Sequence, residues 1–331
     1  MGRPLYLFRA GTLRRQQHTL LFVDTLGEKR FLPIADISDI YVMAPLRLYT
    51  HTLRFLGKQG VPLHVFHHHG TYAGSFLPRP TRISGELFIA QVEHAKVLSK
   101  RLVIARELVQ GAVQQIRKNL LYYHHRGQDF SKQLAFIEER LGLIEQAASI
   151  SDLMGEEGKV RQAYYSAWQA ILGEQEPFVR RRRPPTTLPN ALVSFLNMLL
   201  YTHVLSELYH TPLHPAVSFL HEPRARRFSL ALDLSEPFKP LLVDRLVFRL
   251  LNRRELSESD LEDVGSLSGV FLKEEARKKV VRAFVEQLST TVQHRRLKRS
   301  VSYRQLLRLE AYKLMRHLLG IEPYRAFRAW W

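Results

Sequence analysis

The chain contains no cysteine among its 331 residues. Disulfides and thiolate zinc sites are therefore excluded, and any bound metal must use His, Asp or Glu side chains. The sequence also lacks any run of eighteen apolar residues, which argues against a membrane span. The N-terminus, MGRPLYLFRAG, has no apolar stretch typical of a secretory signal, and Tyr6 departs from a myristoylation motif. A cytosolic protein without a membrane partner is the simplest expectation.

Acidic residues are scarce relative to basic ones. The chain has 31 Asp and Glu against 49 Lys and Arg, a net charge of +18. Such an excess favours polyanionic partners, because Lys and Arg that neutralise phosphates release condensed counterions. No single basic tail carries the charge, so it belongs to folded surfaces. The composition therefore predicts a nucleic-acid-binding protein.

The pattern along the chain predicts two domains in an α+β arrangement. Residues 1–77 read as short strands rich in β-branched and aromatic residues, which indicates a small β-sandwich-like domain. Residues 78–86, with the sequence PRPTRISGE, are expected to form a linker. From there to residue 331 the apolar period becomes helical, which predicts a larger all-α domain. The predicted helical segments are 87–123, 129–174, 187–210, 237–253, 272–292 and 302–318.

One predicted helix carries a carboxylate on its apolar face. On a helical wheel of residues 150–172 the apolar positions form one face, with Glu157 near its middle and Glu156 at its edge. The apolar positions are Leu153, Val160, Tyr164, Ala167, Trp168 and Ile171. A carboxylate on a buried face is costly unless it is paired, protonated or bound to a cation. Glu157 is thus a candidate metal ligand, with a structural ion pair to an arginine as the alternative.

A second concentration of ligand chemistry lies in FLHEPRARRFSLALDLSEPF, residues 219–238. His221 follows an apolar run, and Asp233 and Glu236 stand three residues apart, about one helical turn. Hard divalent cations prefer oxygen ligands, and manganese also accepts imidazole. The alternatives are a satisfied loop histidine and a capping box made by Asp233 and Glu236.

Basic and aromatic residues accompany these acids. Seven arginines are candidates for holding nucleic-acid phosphates, with solvated loop charges as the alternative. They are Arg180, Arg181, Arg182, Arg183, Arg224, Arg226 and Arg227. Three tyrosines either stack on a nucleic-acid end or belong to the core: Tyr164, Tyr165 and Tyr201. The run His67–His69 invites a zinc interpretation, but neighbouring residues on a strand point to opposite faces, so convergence on one ion is not expected.

Several motifs in order resemble one family. LMGEEGKVRQAYYSAW, RRRRPPTTLPNALVSFLNMLLY, HPAVSFLH and LALDLSEPFKPLLVDRLVFRLLN follow the order seen in the CRISPR-associated spacer-acquisition integrases, the universal core nuclease of CRISPR adaptation. SGVFLKEEARKKVVRAFVEQL and EAYKLMRHLLGIEPYRAF extend the resemblance over nearly the whole chain. Each motif alone is weak evidence for the family, but the order of the motifs makes the set specific.

The resemblance implies roles for particular residues. Glu157, His221 and Glu236 match the family's metal ligands for Mg²⁺ or Mn²⁺, and Asp233 matches an acid that supports catalysis. Asn190 matches a supporting position. Pro237 and Lys239 replace an acidic or polar residue and an arginine that are more usual there. These two departures put the local start of the helix in doubt, and not the metal site.

The resemblance also implies an activity and partners. The family joins the 3′-hydroxyl of a captured duplex to the CRISPR repeat by transesterification, with hydrolysis at the same site giving endonuclease activity. It implies binding of double-stranded DNA, a homodimer through the N-terminal β domain, and a small ferredoxin-like adaptation partner. Two alternatives stay open: a non-catalytic basic nucleic-acid scaffold, and a metal-dependent repair nuclease that acts on branched DNA.

Overall fold

Strands dominate the first part of the chain. The computed structural model describes residues 2–79, 82–181, 184–223, 228–264 and 269–331. The first elements are β1 Arg3–Leu7, β2 Gly11–Gln16, β3 Thr19–Asp24, β4 Lys29–Leu32, β5 Ile37–Val42, β6 Leu46–Leu48, helix α1 Thr50–Gln59, β7 Leu63–Phe66 and β8 Tyr72–Phe76. α1 ends at Gly60, whose φ of 67° is the left-handed conformation that glycine adopts without strain.

Two four-stranded sheets build this region. One has the order β1-β5-β7-β8, and the other has the order β4-β3-β2-β6. Alternation along β5 shows why both faces of its sheet are buried: Ile40 and Val42 join a core with Leu13 and Leu20 of the other sheet, while Tyr41 joins the large helical core. The first sheet is therefore covered by its partner sheet on one face and by helices on the other.

Helices dominate the rest of the chain. They are α2 Gly85–Lys96, α3 Leu98–His124, α4 Ser131–Gln146, α5 Ile150–Leu172, α6 Leu188–Tyr209, α7 Ser229–Ser235, α8 Arg245–Asn252, α9 Glu274–Ser289 and α10 Tyr303–Leu318. Short hairpins lie between them: β9 Leu261–Val264 with β10 Gly269–Leu272, and β11 Thr291–His294 with β12 Arg299–Ser302. The predicted fold class, a β-rich N-terminal part and a mainly helical C-terminal part, is confirmed, with these two hairpins as additions.

Two predicted helices are wrong in their continuity, and a third is wrong in its start. The helix predicted over 87–123 is interrupted at Val97, and the one over 129–174 is interrupted between α4 and α5. The helix predicted over 237–253 continues without a break from α7, through a 3-10 turn at Glu236–Phe238 and a π-helical turn at Pro240–Asp244, into α8. Pro237 has no N–H and its ring clashes with the preceding turn of a regular α-helix, which accounts for the change of helix type there.

Helix α6 is the central element of the helical core. It is the one described helix that is long and apolar enough to cross a membrane, and 83% of its apolar window is buried inside the fold. Apolar residues lie on all sides of α6, as expected for a helix that is surrounded by other elements. α6 therefore serves as a core helix on which the neighbouring elements pack.

A buried polar cluster joins the first sheet to the helices. Asp39 on β5 is fully buried and accepts hydrogen bonds from the Tyr41 hydroxyl at 2.8 Å, Ser206 Oγ at 2.9 Å and Arg304 Nη2 at 3.1 Å. Burial alone raises the pKa of Asp39, but Arg304, together with smaller contributions from His203, Ser38 and His64, outweighs it and leaves that pKa well below its usual range. Because the charge is compensated within the fold, the cluster ties the two parts together.

The histidine run after β7 is not on a strand. β7 ends at Phe66, and the backbone N–H of Gly70 donates to the carbonyl of His67 at 2.8 Å, which closes a tight turn. Gly70 has a φ of 81°, which suits glycine. The premise that strand alternation separates His67–His69 is therefore wrong, because side chains in a turn do not alternate between faces.

Candidate active site

Helix α5 presents one side of the site. Ser149 caps its start by accepting the backbone N–H of Asp152. All six positions predicted on its apolar face are buried, which confirms that interpretation. Glu157 has 12% of its side chain exposed, and its Oε1 accepts a hydrogen bond from Arg161 Nε at 2.7 Å. The ion pair weighed as an alternative for Glu157 is thus present, with Arg161 as the partner.

Asp233 positions the loop that carries His221. Its Oδ2 accepts the backbone N–H groups of Phe219 at 2.6 Å and Leu220 at 2.9 Å, and its Oδ1 accepts the backbone N–H of His221 at 2.9 Å. The carboxylate is fully buried and lies inside α7, not at a helix start. The capping-box interpretation of Asp233 and Glu236 is therefore wrong, because neither the start of α7 nor the 3-10 turn after it has a side-chain cap.

The same carboxylate orients the His221 ring. His221 Nδ1 lies 2.8 Å from Asp233 Oδ1. An ionised carboxylate only accepts hydrogen bonds, so Nδ1 carries a proton, and Nε2 offers a lone pair when the ring is neutral. Burial opposes the charged form of His221, but Asp233 and Glu236 outweigh it and raise its pKa. Nε2 lies 3.8 Å from Glu236 Oε1. A carboxylate that holds the far nitrogen of a ligating histidine is the usual support for a metal-bound imidazole.

Glu236 is the most buried of the predicted ligands that face one another. It is 4% exposed, its Oε2 accepts from Arg161 Nη2 at 2.6 Å, and its Oε1 accepts from Lys239 Nζ at 2.5 Å. Burial by itself raises the pKa of Glu236, but the charges of Lys239, Arg161 and His221 outweigh it and lower the pKa to about 2. The carboxylate is therefore ionised, as a cation ligand must be.

Arg161 connects the two sides of the site. Its Nε binds Glu157 and its Nη2 binds Glu236, so one guanidinium holds two predicted ligands from separate helices. The charges of Glu157 and Glu236 keep the pKa of Arg161 well above its usual value although burial opposes this. The sequence interpretation missed Arg161, although its position four residues after Glu157 on one helix places it on the same face.

Two of the three candidate ligands fit a divalent cation. Ligands lie about 2.1 Å from a small divalent ion, so two ligands of one ion stand no more than about 4.2 Å apart. The 3.8 Å between His221 Nε2 and Glu236 Oε1 meets this limit. Among the described residues no hydrogen bond reaches Oε2 of Glu157. The ligand atoms of Glu157, His221 and Glu236 do not all lie within 4.8 Å of one another, so Glu157 would have to move closer to serve as a third ligand. Carboxylates with one imidazole suit manganese or magnesium.

A buried acid lies behind the site. Asp244, at the end of the π-helical turn, is 4% exposed, and in the described part of the chain its Oδ2 has no hydrogen-bond partner. Burial raises the pKa of Asp244 to about 7, against the opposing charge of Arg161 and a hydrogen bond from Tyr164. Asp244 therefore takes up a proton much more readily than an exposed aspartate does.

The predicted tyrosines belong to the core. Tyr164 is fully buried and its hydroxyl accepts a hydrogen bond from Asn119 Nδ2 at 3.0 Å. Tyr201 is 8% exposed and accepts the backbone N–H of Phe228 at 3.1 Å. Tyr165 packs against the rings of Trp168 and Phe178. The core alternative is therefore confirmed for the two buried rings, and base stacking is not expected of them.

Asn190 organises the described part of the arginine loop. Its Oδ1 accepts from Arg180 Nη1 at 2.9 Å and from the backbone N–H of Arg181 at 2.8 Å. Its Nδ2 donates to the carbonyl of Val179 at 2.9 Å. One side chain on α6 thus fixes the segment that leads into the arginine run. Five predicted DNA-binding residues lie outside the described residues: Arg182, Arg183, Arg224, Arg226 and Arg227.

Comparisons with known proteins agree on one family. The family model described as CRISPR associated protein Cas1 matches residues 5–286. A protein of Fusobacterium nucleatum, called CRISPR-associated endonuclease Cas1, is 42% identical over 332 residues, which cover 100% of this chain and 98% of that protein. The solved structure of a Cas1 protein from Thermotoga maritima has a TM-score of 0.86 and 34% identity, covering 98% of this chain and 100% of that chain.

A more distant structure shares the fold. A casposase bound to its integration product has a TM-score of 0.83 at 19% identity, covering 98% of this chain and 92% of that chain. At this identity the likeness concerns the fold. The family match covers most of the chain, and the Fusobacterium relative aligns from end to end. This chain therefore belongs to the Cas1 family of CRISPR-associated proteins.

Proposed function

We propose that this protein is a metal-dependent DNA endonuclease and integrase of CRISPR adaptation. In this proposal it joins the 3′-hydroxyl ends of captured spacer DNA to the CRISPR repeat by transesterification. Family membership supports the nuclease and integrase class. The observation that carries the chemistry is His221, whose ring is fixed by Asp233 so that Nε2 is directed toward the buried carboxylate of Glu236.

Glu157, His221 and Glu236 are the proposed holders of Mg²⁺ or Mn²⁺. A divalent ion supplies polarisation of the phosphoryl oxygen and stabilises the attacking and leaving oxygens. Arg161 and Lys239 each donate to one oxygen of Glu236, so their positive charges oppose the approach of a further cation. Without a bound ion, these two side chains stabilise the carboxylate in its buried position.

Asp233 acts as a positioning residue. Its four accepted hydrogen bonds fix the backbone of the 219–221 loop and the tautomer of His221. The imidazole therefore keeps Nε2 directed toward Glu236 and does not have to reorient to bind an ion. This preorganisation is what a metal ligand on a loop needs from the surrounding fold.

The basic surface is the proposed DNA contact. Phosphate contacts position a strand and do not read its sequence, which suits an enzyme that takes in many different spacers. The proposal assigns this role to the arginine run 180–183 and to the segment 224–227. Asn190 supports it by holding the first two arginines of the run.

Two assembly partners belong to the same proposal. We expect a homodimer through the N-terminal β region and a complex with a small ferredoxin-like adaptation partner, because the family resemblance implies both. Light scattering of the protein alone and mixed with that partner measures the two states. A monomer at micromolar concentration that leaves the partner unbound contradicts this part of the proposal.

The test is strand transfer of a short duplex with free 3′-hydroxyls into supercoiled DNA that carries a CRISPR repeat. The reaction is run with Mn²⁺, Mg²⁺ or EDTA, with and without the small partner. Glu157→Ala and His221→Ala remove two proposed ligands. Glu156→Ala is the matched control, because this neighbour on the same helix pairs with Lys159 and Arg140 outside the site.

The expected result is metal-dependent joining that Glu157→Ala and His221→Ala lower by at least 100-fold and Glu156→Ala leaves within about threefold, as catalytic ligands contribute several kcal/mol. Cutting without joining indicates instead a repair nuclease. DNA binding that is indifferent to metal and to both substitutions, with no reaction, indicates a basic scaffold and refutes the catalytic proposal.

A further inference from the structure

A second group of metal-type ligands lies away from the candidate active site. His68 and His69 in the β7–β8 turn and Glu262 on β9 bring one ligand atom each to within 4.8 Å of one another. In the part of the chain that the structure describes, no other three His, Asp or Glu residues meet this criterion. The His68 and His69 rings are 5.1 Å apart between centroids and nearly perpendicular.

Two of the facing atoms lack hydrogen-bond partners. His69 Nδ1 and Glu262 Oε1 lie 3.6 Å apart, beyond hydrogen-bond distance, and both atoms are buried. Neither has a hydrogen-bond partner among the described residues. Buried polar atoms are nearly always satisfied, so an opposed unsatisfied pair calls for an ion or a water between them. A separation of 3.6 Å is compatible with two ligands of one small divalent ion.

The surroundings hold the ligands in place. The ring of Phe271 stacks on His69 at 4.6 Å between centroids, and Arg277 of α9 donates to the backbone carbonyl of His68. A Cβ at Gly70 would lie 2.6 Å from the ring of Phe195, so the turn lies directly on α6. Two neutral imidazoles and one carboxylate, on a rigid frame, match the ligand type that zinc and similar ions prefer.

We propose that His68, His69 and Glu262 form a second metal site that binds a divalent transition ion of the zinc class. The turn belongs to the N-terminal sheet and Glu262 to a hairpin of the helical region. A bound ion would therefore join the two parts of the chain and stabilise the native state by mass action. His68 is exposed, which gives the ion a path of entry and leaves a coordination position for water.

The guanidinium of Arg277 is the competing cation at this site. It is 2% exposed, and burial lowers its pKa while the charges of Glu262 and Glu274 partly offset this. Glu262 therefore compensates a buried charge in the absence of an ion. Removing Glu262 costs stability in either case, so stability alone does not test the proposal and ion binding must be measured directly.

The experiment uses tag-free, full-length protein that carries Glu157→Ala and His221→Ala, so that the proposed catalytic site does not bind the probe. Zn²⁺ is measured by calorimetry and by metal analysis after dialysis, and Co²⁺ is measured by its visible absorption. Into this background we introduce His69→Ala or Glu262→Gln. His67→Ala is the matched control, because it removes an exposed histidine of the same turn.

The expected result is one Zn²⁺ per chain in the background protein and in the His67→Ala variant. In the His69→Ala and Glu262→Gln variants we expect at least a 100-fold loss of affinity, with an unchanged circular dichroism spectrum. Zn²⁺ should raise the melting temperature of the first two proteins only. No binding in the background protein, equal binding in all four, or equal loss with His67→Ala would each overturn the proposal. Because two of the three proposed catalytic ligands are absent from every arm, none of these outcomes depends on the proposed function.

Discussion

Two buried carboxyl groups near the candidate active site should lose very different amounts of stability on the same substitution. Asp233 and Asp244 lie eleven positions apart and are 0% and 4% exposed. Asp233 accepts four hydrogen bonds, whereas Oδ2 of Asp244 has no partner among the described residues. Replacement by asparagine preserves the shape of the side chain at both positions. The difference between the two losses of unfolding free energy therefore reports how much each carboxylate contributes through its hydrogen bonds.

The loss of stability caused by Asp233→Asn follows from the number of hydrogen-bond donors around this side chain. An asparagine side chain has one acceptor oxygen, so its NH₂ must face two of the four donors that Asp233 satisfies. Two hydrogen bonds are lost and two buried donors are left without an acceptor. At about 1–3 kcal/mol each, the free energy of unfolding should fall by about 2–6 kcal/mol. Mn²⁺ affinity should also fall by about 10–100-fold, because His221 loses the group that fixes its tautomer.

Asp244→Asn should cost about 1 kcal/mol or less. Burial raises the pKa of Asp244 to about 7, so a neutral side chain already represents much of the native population at neutral pH. Asparagine removes the remaining buried charge while it keeps the volume. Asp244→Asn is therefore the matched control for Asp233→Asn.

The assay is urea unfolding at pH 7, followed by fluorescence of the chain's three tryptophans and by circular dichroism. Mn²⁺ titration of the folded variants gives the second readout. Coincident curves from the two probes are needed before the free energies are compared. An Asp233→Asn variant within about 0.5 kcal/mol of the parent, or a more costly Asp244→Asn, would refute the reasoning from donor counts.

Two further predictions concern pH and charge. Burial lowers the pKa of His64 to about 4 and that of His203 to about 3. The unfolded chain takes up these protons near pH 6.5, so stability is complete above that pH and falls toward pH 4 by up to about 2.7 kcal/mol per pH unit. Urea unfolding between pH 7 and 4.5 measures this, and a His203→Gln variant with the parent's slope contradicts it. Arg161→Met leaves Glu157 and Glu236 without their shared cation, so the metal-free free energy of unfolding should fall by about 3 kcal/mol. Mn²⁺ should stabilise this variant more than the parent in thermal unfolding, and an equal stabilisation in both would show that Arg161 does not compete with the ion.

Local patterns predicted much of the fold. The six apolar positions on α5 repeat with the helical period, and all six are buried. That agreement is expected, because the side of a helix on which a residue lies depends only on its position in that helix. The interruption at Val97 was not predictable, since the apolar period resumes directly after one extended residue.

The candidate site was defined partly by the sequence and partly by the tertiary structure. The sequence by itself, through motif order and the wheel, determined the family, the class of fold and the candidate ligands Glu157, His221 and Glu236. Only the tertiary structure decided that Arg161 bridges two helices across 75 positions, and that Asp233 serves a loop rather than a helix start. It also decided that His69 faces Glu262 from a distant hairpin. Helical periodicity is a property of neighbours along the chain, whereas these contacts exist only once packing brings distant segments together and burial forces their polar atoms to find partners.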